Sequence, residues 1–151
     1  MQLAKKWFGD IPSGEPFNRN IAMEPEQQAA KFQHVKKDVP VNVIYKAWKM
    51  PGRIEPLYYA TNLLSDVLGL GESSRLQHAL KKETKLFTDI AAYITGSIDT
   101  GMFIITGKLA EGITYEQAEQ GIQQELDKIK QAPITDAELT RVKNTVEMDI
   151  A

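Results

Sequence analysis

Hydrophobic and polar positions along this chain keep one of two rhythms. Between Val39 and Trp48 the period is two: Val39, Val41, Val43, Tyr45 and Ala47 alternate with Pro40, Asn42, Ile44, Lys46 and Trp48. Such alternation sends successive side chains to opposite faces and predicts a strand. Both phases hold apolar residues, so the strand is expected to be partly covered on both faces, and Met50-Pro51-Gly52 ends it. Lys31-Phe32-Gln33-His34-Val35 is a second, shorter strand candidate. Two further β-rich runs, Leu86 to Thr95 and Met102 to Leu109, are joined by Gly96-Ser97-Ile98-Asp99-Thr100-Gly101, which predicts an antiparallel hairpin with a long loop.

Elsewhere the period is that of a helix. Leu57, Ala60, Leu64 and Leu68 mark one face of a helix over 57–68, widened by Leu63 and Val67, with Pro56 at its first turn. Gly69-Leu70-Gly71 breaks it, and Ser73 or Ser74 is placed to cap a second helix through Leu76, Ala79 and Leu80. Two helices follow, each opened by a capping box. Thr114 with Gln117 precedes Tyr115, Ala118, Ile122, Leu126 and Ile129; Thr135 with Glu138 precedes Leu139, Val142, Val146 and Ile150. Pro133 separates them.

The ends read differently. Residues 3–8 have the character of a last helical turn closed by Gly9, and 9–26 reads as linker, punctuated by Pro12, Ser13, Gly14, Pro16, Asn18, Asn20 and Pro25. The final helix is still in phase at Ile150 when the sequence stops at Ala151. The expected organisation is therefore a tail of a preceding domain over 1–8, a linker over 9–26, and one α+β domain over 27–151, cut short at its C-terminal end.

Composition narrows the chemistry. The 151 residues carry 18 Lys and Arg against 20 Asp and Glu, a formal charge of −2. That balance disfavours a nucleic-acid binder, which would carry a basic excess. There is no cysteine, which excludes disulfides, thiolate metal sites and cysteine nucleophiles. No apolar run approaches the length of a membrane span, and Met1 to Phe8 lacks the apolar stretch of a signal peptide. A folded chain of this size is expected to expose roughly 7,700 Å², enough burial for a core without a staple.

Only two histidines are present, His34 and His78. A helical zinc site needs two histidines on one face with a glutamate nearby, and these two lie on separate elements. Gly71-Glu72-Ser73-Ser74-Arg75 has the outline of a nucleophile elbow, but Arg75 replaces the second glycine and the segment joins two helices; capping accounts for the serines. Gly69-Leu70-Gly71 lacks the Lys-Ser/Thr of a phosphate loop. Lys81-Lys82-Glu83-Thr84-Lys85 reads as the solvated end of a short helix, and Glu24 with Glu26 falls in the linker, where nothing positions a carboxylate pair. The residues alone describe an α+β domain without a catalytic centre.

Several segments, in order, nevertheless match one family. Trp7-Phe8-Gly9-Asp10-Ile11-Pro12 looks like a domain junction, followed by a strand ending near Lys49-Met50-Pro51 and a helix from Tyr59 to Leu68. Gly69-Leu70-Gly71-Glu72-Ser73-Ser74-Arg75-Leu76 is similar to a glycine-rich segment ending in Ser-Arg-Leu; Leu80 to Thr88 is similar to a Leu-Arg-Glu-Lys…Tyr stretch; Ile134 to Leu139 is similar to a Thr-x-x-Glu-Leu helix start. Together they resemble the insulinase/pitrilysin family of zinc metallopeptidases, which includes the mitochondrial processing peptidases, in its non-catalytic, C-terminal type of domain. The resemblance covers nearly the whole chain.

The resemblance implies half of a clamshell: an antiparallel or mixed sheet with helices on one face, closing with a related half around an unfolded peptide. The other half supplies His-x-x-Glu-His, which this chain lacks. No catalytic or metal-ligating residue is therefore expected here; zinc is expected in the parent's catalytic domain, carried by the same chain or a partner chain. In many members the non-catalytic half contributes an arginine and, seven positions on, a tyrosine that reach the substrate. Those positions fall on Lys81 and Thr88, the candidate substrate-binding residues. Lysine keeps the charge but loses the bidentate fork, and threonine loses the phenol. The expected function is the non-catalytic, substrate-enclosing half of a metalloendopeptidase, inactive alone. A structural or assembly subunit with a degenerate peptidase fold is the alternative, and a free-standing α+β binding module a third. The compartment is not encoded in these residues; family habit favours the bacterial periplasm or envelope.

Overall fold

Alternation between Val39 and Trp48 becomes strand β1 (Val43–Pro51) in a computed structural model, which describes residues 1–16, 22 and 25–150, with the side chains of 149 and 150 excepted. Asn18, Asn20, Glu24 and Ala151, invoked above, lie outside the described residues. The chain divides into two units, Met1–Lys37 and Asp38–Ala151. In the first, helix α1 (Gln2–Phe8) is followed by described residues without regular structure, and every described residue is exposed. The strand expected over Lys31–Val35 is absent: Phe32 is 83% exposed, and with no sheet to cover it an apolar alternation this short does not form a strand. This unit explains why the accessible surface, 12025 Å², exceeds the roughly 7,700 Å² expected of a chain buried throughout.

The second unit runs β1, α2 (Tyr58–Gly69), a π-helical segment (Gln77–Glu83), β2 (Phe87–Ile94), β3 (Thr100–Leu109), α3 (Tyr115–Gln131) and α4 (Asp136–Ile150). The strands form one sheet of order β1-β3-β2, and both pairings are antiparallel. The β2–β3 hairpin forms as its composition predicts. Register sets which side chains meet. Ile105 pairs with Lys46 and Ala92, and Gly107 with Ile44 and Ile90, so the odd residues of β3 and the even residues of β1 and β2 share the face under the helices. On that face Phe87, Ile90 and Ile105 join Leu68, Leu76, Leu80, Ala118 and Ile122 in the buried core.

The opposite face is open. Tyr45 is 69% exposed, and Ala47, Tyr93 and Met102 are exposed as well. β1 is expected to be partly covered on both faces: its helix-side phase holds half-buried Ile44 and buried Met50, while in the other phase Val43 is half-buried and Tyr45 and Ala47 are exposed. Apolar residues in both phases of an edge strand do not require two packed layers.

Both C-terminal capping boxes are present. Gln117 N–H donates to Thr114 Oγ1 (3.3 Å) while Thr114 N–H donates to Gln117 Oε1 (2.9 Å); Glu138 N–H donates to Thr135 Oγ1 (3.3 Å) and Thr135 N–H to Glu138 Oε2 (2.9 Å). The serine caps expected before the second helix are not made. The Ser74 hydroxyl turns back to donate to Gly71 O (2.7 Å), and the segment continues as a π-helix whose end is marked by Thr84 N–H bonding Ala79 O, five residues back (3.0 Å).

Candidate functional site

The glycine-rich break after α2 serves two conformational needs. Gly71 takes φ +76°, in the left-handed region, and Gly69 lies against β2 so closely that a Cβ would stand 2.0 Å from Ala92 N. The chain can then turn and lay the next segment along β2. That segment is clasped from the other side by α4. Arg75 donates from Nε to Glu138 Oε1 (2.6 Å) and from Nη2 to Glu138 Oε2 (2.8 Å), a bidentate pair that is three-quarters or more buried on both sides. The Arg75 guanidinium, despite partial burial of the carboxylate, holds Glu138 down at about 2, and the Thr135 backbone and hydroxyl add to the effect. Glu138 therefore does two jobs, as capping-box partner and as anchor for the segment that opens with Arg75.

Two residues on, Gln77 is buried and donates from Nε2 to Ile90 O of β2. Sequence reasoning missed Gln77, and its signal was slight: a long amide among apolar Leu76, Ala79 and Leu80 must find a partner, but α-helical spacing does not locate it in a π-helix.

The two candidate substrate residues fall in different places. Lys81 sits on the π-helical segment, half-buried, with Nζ 3.1 Å from Glu72 Oε1; Lys82 Nζ reaches the other oxygen at 3.2 Å. These two ammonium groups, Lys81 first, lower the Glu72 carboxyl below its ordinary value. Thr88 occupies a bulge, the extra residue between Phe87, which pairs with Leu109, and Asp89, which pairs with Lys108. Its hydroxyl donates to Lys108 O (3.3 Å), and it lines an open cavity of about 430 Å³ with Asn42, Leu109, Glu111 and Ile113. Lys81 is not part of that lining.

The two histidines belong to different units. His34 is exposed in the first unit, and His78 Nδ1 lies 3.4 Å from Glu83 Oε1 on the π-helical segment. Among the described residues no three His, Cys, Asp or Glu side chains are grouped to hold a metal ion, so a resident zinc does not fit the described residues. Among the described residues no helix is long and apolar enough to cross a membrane.

Comparison with known proteins agrees with this architecture. The model of the peptidase M16 inactive domain matches residues 1–146. The zinc protease PqqE of Helicobacter pylori is 28% identical over 151 residues, covering 98% of this chain and 34% of that protein. The crystal structure of a protease from Helicobacter pylori superposes with a TM-score of 0.90 at 28% identity, over 99% of this chain and 37% of that one. The inactive peptidase domain from Bordetella parapertussis shares the fold at a TM-score of 0.65 and 22% identity, over 71% of this chain and 58% of that one. The chain spans about a third of the length of its Helicobacter relatives. With the clasped glycine-rich segment, the hairpin and the capped α3 and α4 all in the expected order, this chain belongs to peptidase family M16, as a non-catalytic domain of that family's zinc proteases.

Proposed function

We propose that this chain is the substrate-enclosing half of a zinc-dependent metalloendopeptidase that cleaves unfolded peptides, inactive on its own and paired with a zinc-bearing catalytic domain in the same chain or a partner chain. The observation that carries this reading is the inactive-domain match over residues 1–146 in a chain without His-x-x-Glu-His. A sheet with helices on one face and exposed Tyr45, Tyr93 and Met102 on the other supports it, because such a surface can line an enclosure. Closing two halves around a peptide excludes water from the reacting bond. Lys81 and Thr88 remain the candidate substrate contacts; Lys81 would exchange its Glu72 partner for a substrate carboxylate or carbonyl.

The test is incubation of the chain with unstructured peptides and zinc, alone and with the catalytic domain added. No cleavage alone and chelator-sensitive cleavage on addition are expected. Chelator-sensitive cleavage by the chain alone would sink the proposal. One observation favours the alternative of an assembly subunit: both candidate residues are engaged internally, Lys81 with Glu72 and Thr88 with Lys108 O. Under that reading the catalytic domain cleaves equally well without this half once its own fold is secured.

A further inference from the structure

The open cavity beside Thr88 lies within the second unit, where the ends of three elements meet. The residues just before β1 supply Val41 and Asn42, the start of β2 supplies Thr88, and the turn from β3 into α3 supplies Glu111 and Ile113. Thr88 stands there because the bulge adds a residue to β2 and so re-aims a side chain. Glu111 stands there because the chain reverses between β3 and α3. Ile113 N–H donates to Ala110 O (3.2 Å), and Gly112 takes φ +78°, the left-handed conformation that such a turn asks of glycine.

The chemistry of this lining is one-sided. Buried Leu109, half-buried Ile113 and Val41 give it apolar walls. The backbone donors beside them are spent: Leu109 N–H on Asn42 O (2.9 Å), Ala110 N–H on Leu86 O (3.0 Å) and Ile113 N–H on Ala110 O. The Thr88 hydroxyl gives its one hydrogen to Lys108 O, which leaves its oxygen as an acceptor. The Asn42 side chain adds an amide oxygen. Glu111 adds a carboxylate that no hydrogen bond or ion pair engages among the described residues, and no basic residue belongs to the lining. The neighbouring cation, Lys108 of β3, has its ammonium 3.9 Å from Asp89 Oδ2. Apolar walls, several acceptors and one negative charge match a group that is aliphatic along its stem and cationic at its tip.

We propose that this cavity is a subsite for an arginine or lysine side chain of the unfolded substrate. Glu111 takes the charge, Asn42 and Thr88 accept N–H bonds, and Val41, Leu109 and Ile113 pack along the stem. This rests on the substrate-enclosing reading and names the kind of residue that such a half selects. An acidic side chain would meet the Glu111 carboxylate as a like charge. A purely apolar one would fill the walls while displacing water from acceptors it cannot serve, which costs free energy. Lysine satisfies the carboxylate as a point charge. Arginine presents a planar fork that meets the carboxylate and a second acceptor together, so it is the favoured of the two. Thr88 thereby acts through its hydroxyl oxygen, which needs no phenol in its place.

The experiment is binding of this chain to labelled, unstructured peptides that differ at one central position: arginine, lysine, citrulline, norleucine or glutamate. Citrulline keeps the length and shape of arginine without its charge. The arginine and lysine peptides are expected to bind about tenfold more tightly than the citrulline and glutamate ones, the size of one charge-assisted hydrogen bond, and to lose that advantage in high salt. Glu111→Gln should erase the preference and leave the unfolding midpoint unchanged, since the side chain is exposed. Glu111→Lys should reverse it, placing glutamate above arginine. Val41→Ala should weaken the arginine and norleucine peptides by the same factor, which separates the stem from the charge. Equal affinity for arginine and citrulline, or a preference that persists in Glu111→Gln, would overturn the subsite and leave the enclosing reading standing. Self-association of the chain in sedimentation, abolished by Glu111→Gln, would make a basic residue of a second copy the occupant and overturn the proposal. No binding of any peptide would count against the enclosing reading itself, and the subsite with it.

Discussion

The two edges of one three-stranded sheet show how a fold decides where it can be extended. Both β1 and β2 pair with β3 and both are rich in apolar residues, yet their outer rows have opposite fates. β2 is sealed by backbone contact with Gly69 and by the Gln77 amide, and the segment that brings Gln77 is held in turn by the Arg75–Glu138 clasp. On β1 the outward row runs along exposed Tyr45 and Ala47, and Lys46 is paired with Glu119 (3.0 Å). Sealing an edge takes a dedicated glycine, a buried amide and an ion pair; leaving one open takes none of these, and an unsealed edge is a liability unless it is used.

The comparison breaks most severely at Gly69. A methyl group there would overlap Ala92 N, Cα and Cβ at 2.0–2.7 Å, two of the three being main-chain atoms that cannot step aside. Gly69→Ala is expected to lower the unfolding free energy by about 3 kcal/mol. Urea unfolding of the variant and the parent chain measures this, and a midpoint unchanged within error would show that β2 is not sealed by this contact.

Next comes the clasp. Glu138→Gln and Arg75→Ala are each expected to cost about 2 kcal/mol at neutral pH, since removing one partner strands the other in a largely buried place. The pH dependence distinguishes this from a packing loss. The folded-state value of Glu138, about 2, lies below its ordinary 4.5, so the stabilisation is complete above about pH 4.5 and is lost as the pH falls toward 2. Over that window the difference between the chain and Glu138→Gln should shrink toward zero. A difference that stays constant between neutral pH and pH 2 would mean that the ion pair contributes nothing.

Gln77→Ala removes the donor to Ile90 O and should cost about 1–2 kcal/mol. It should also raise hydrogen exchange along β2 toward that of β1, which turns the contrast between edges into a graded measurement. The smallest effects are expected at Lys81 and Thr88. Each alanine variant should change stability by less than about 0.5 kcal/mol, as surface substitutions do, Thr88 being exposed and Lys81 half-buried with the solvent-facing Glu72 as its ion-pair partner, and lower turnover of the assembled peptidase by less than about tenfold. A loss of about a hundredfold, nearly 3 kcal/mol of barrier, would show that these positions still serve the transition state.

Much of the fold was legible in advance, and for a consistent reason: where structure is set by neighbours a few residues apart, the residues report it. The Thr114–Gln117 and Thr135–Glu138 boxes, the stripe through Ala118 and Ile122, and the hairpin on either side of Gly96–Gly101 are all local signals, and all are present. Lys31–Val35 failed because a strand needs a partner that its own residues do not name. Ser73 or Ser74 has the residue type of a cap, but the Ser74 hydroxyl closes a turn onto Gly71 O instead.

The candidate site was legible only in outline. Spacing and resemblance placed Lys81 and Thr88 seven positions apart, but the structure puts one on a helical segment held by Glu72 and the other on a bulge beside a separate cavity. By itself the sequence determined the class of fold, the absence of the His-x-x-Glu-His motif and the family to which the chain belongs, because these rest on residue identity and short-range order. Which strand is central, which edge is closed, and which buried amide closes it were decided only by tertiary packing. Those outcomes depend on pairs such as Gln77 with Ile90 and Gly69 with Ala92, whose meeting is set by how α2 and the π-helical segment lie on the sheet rather than by any period along the chain.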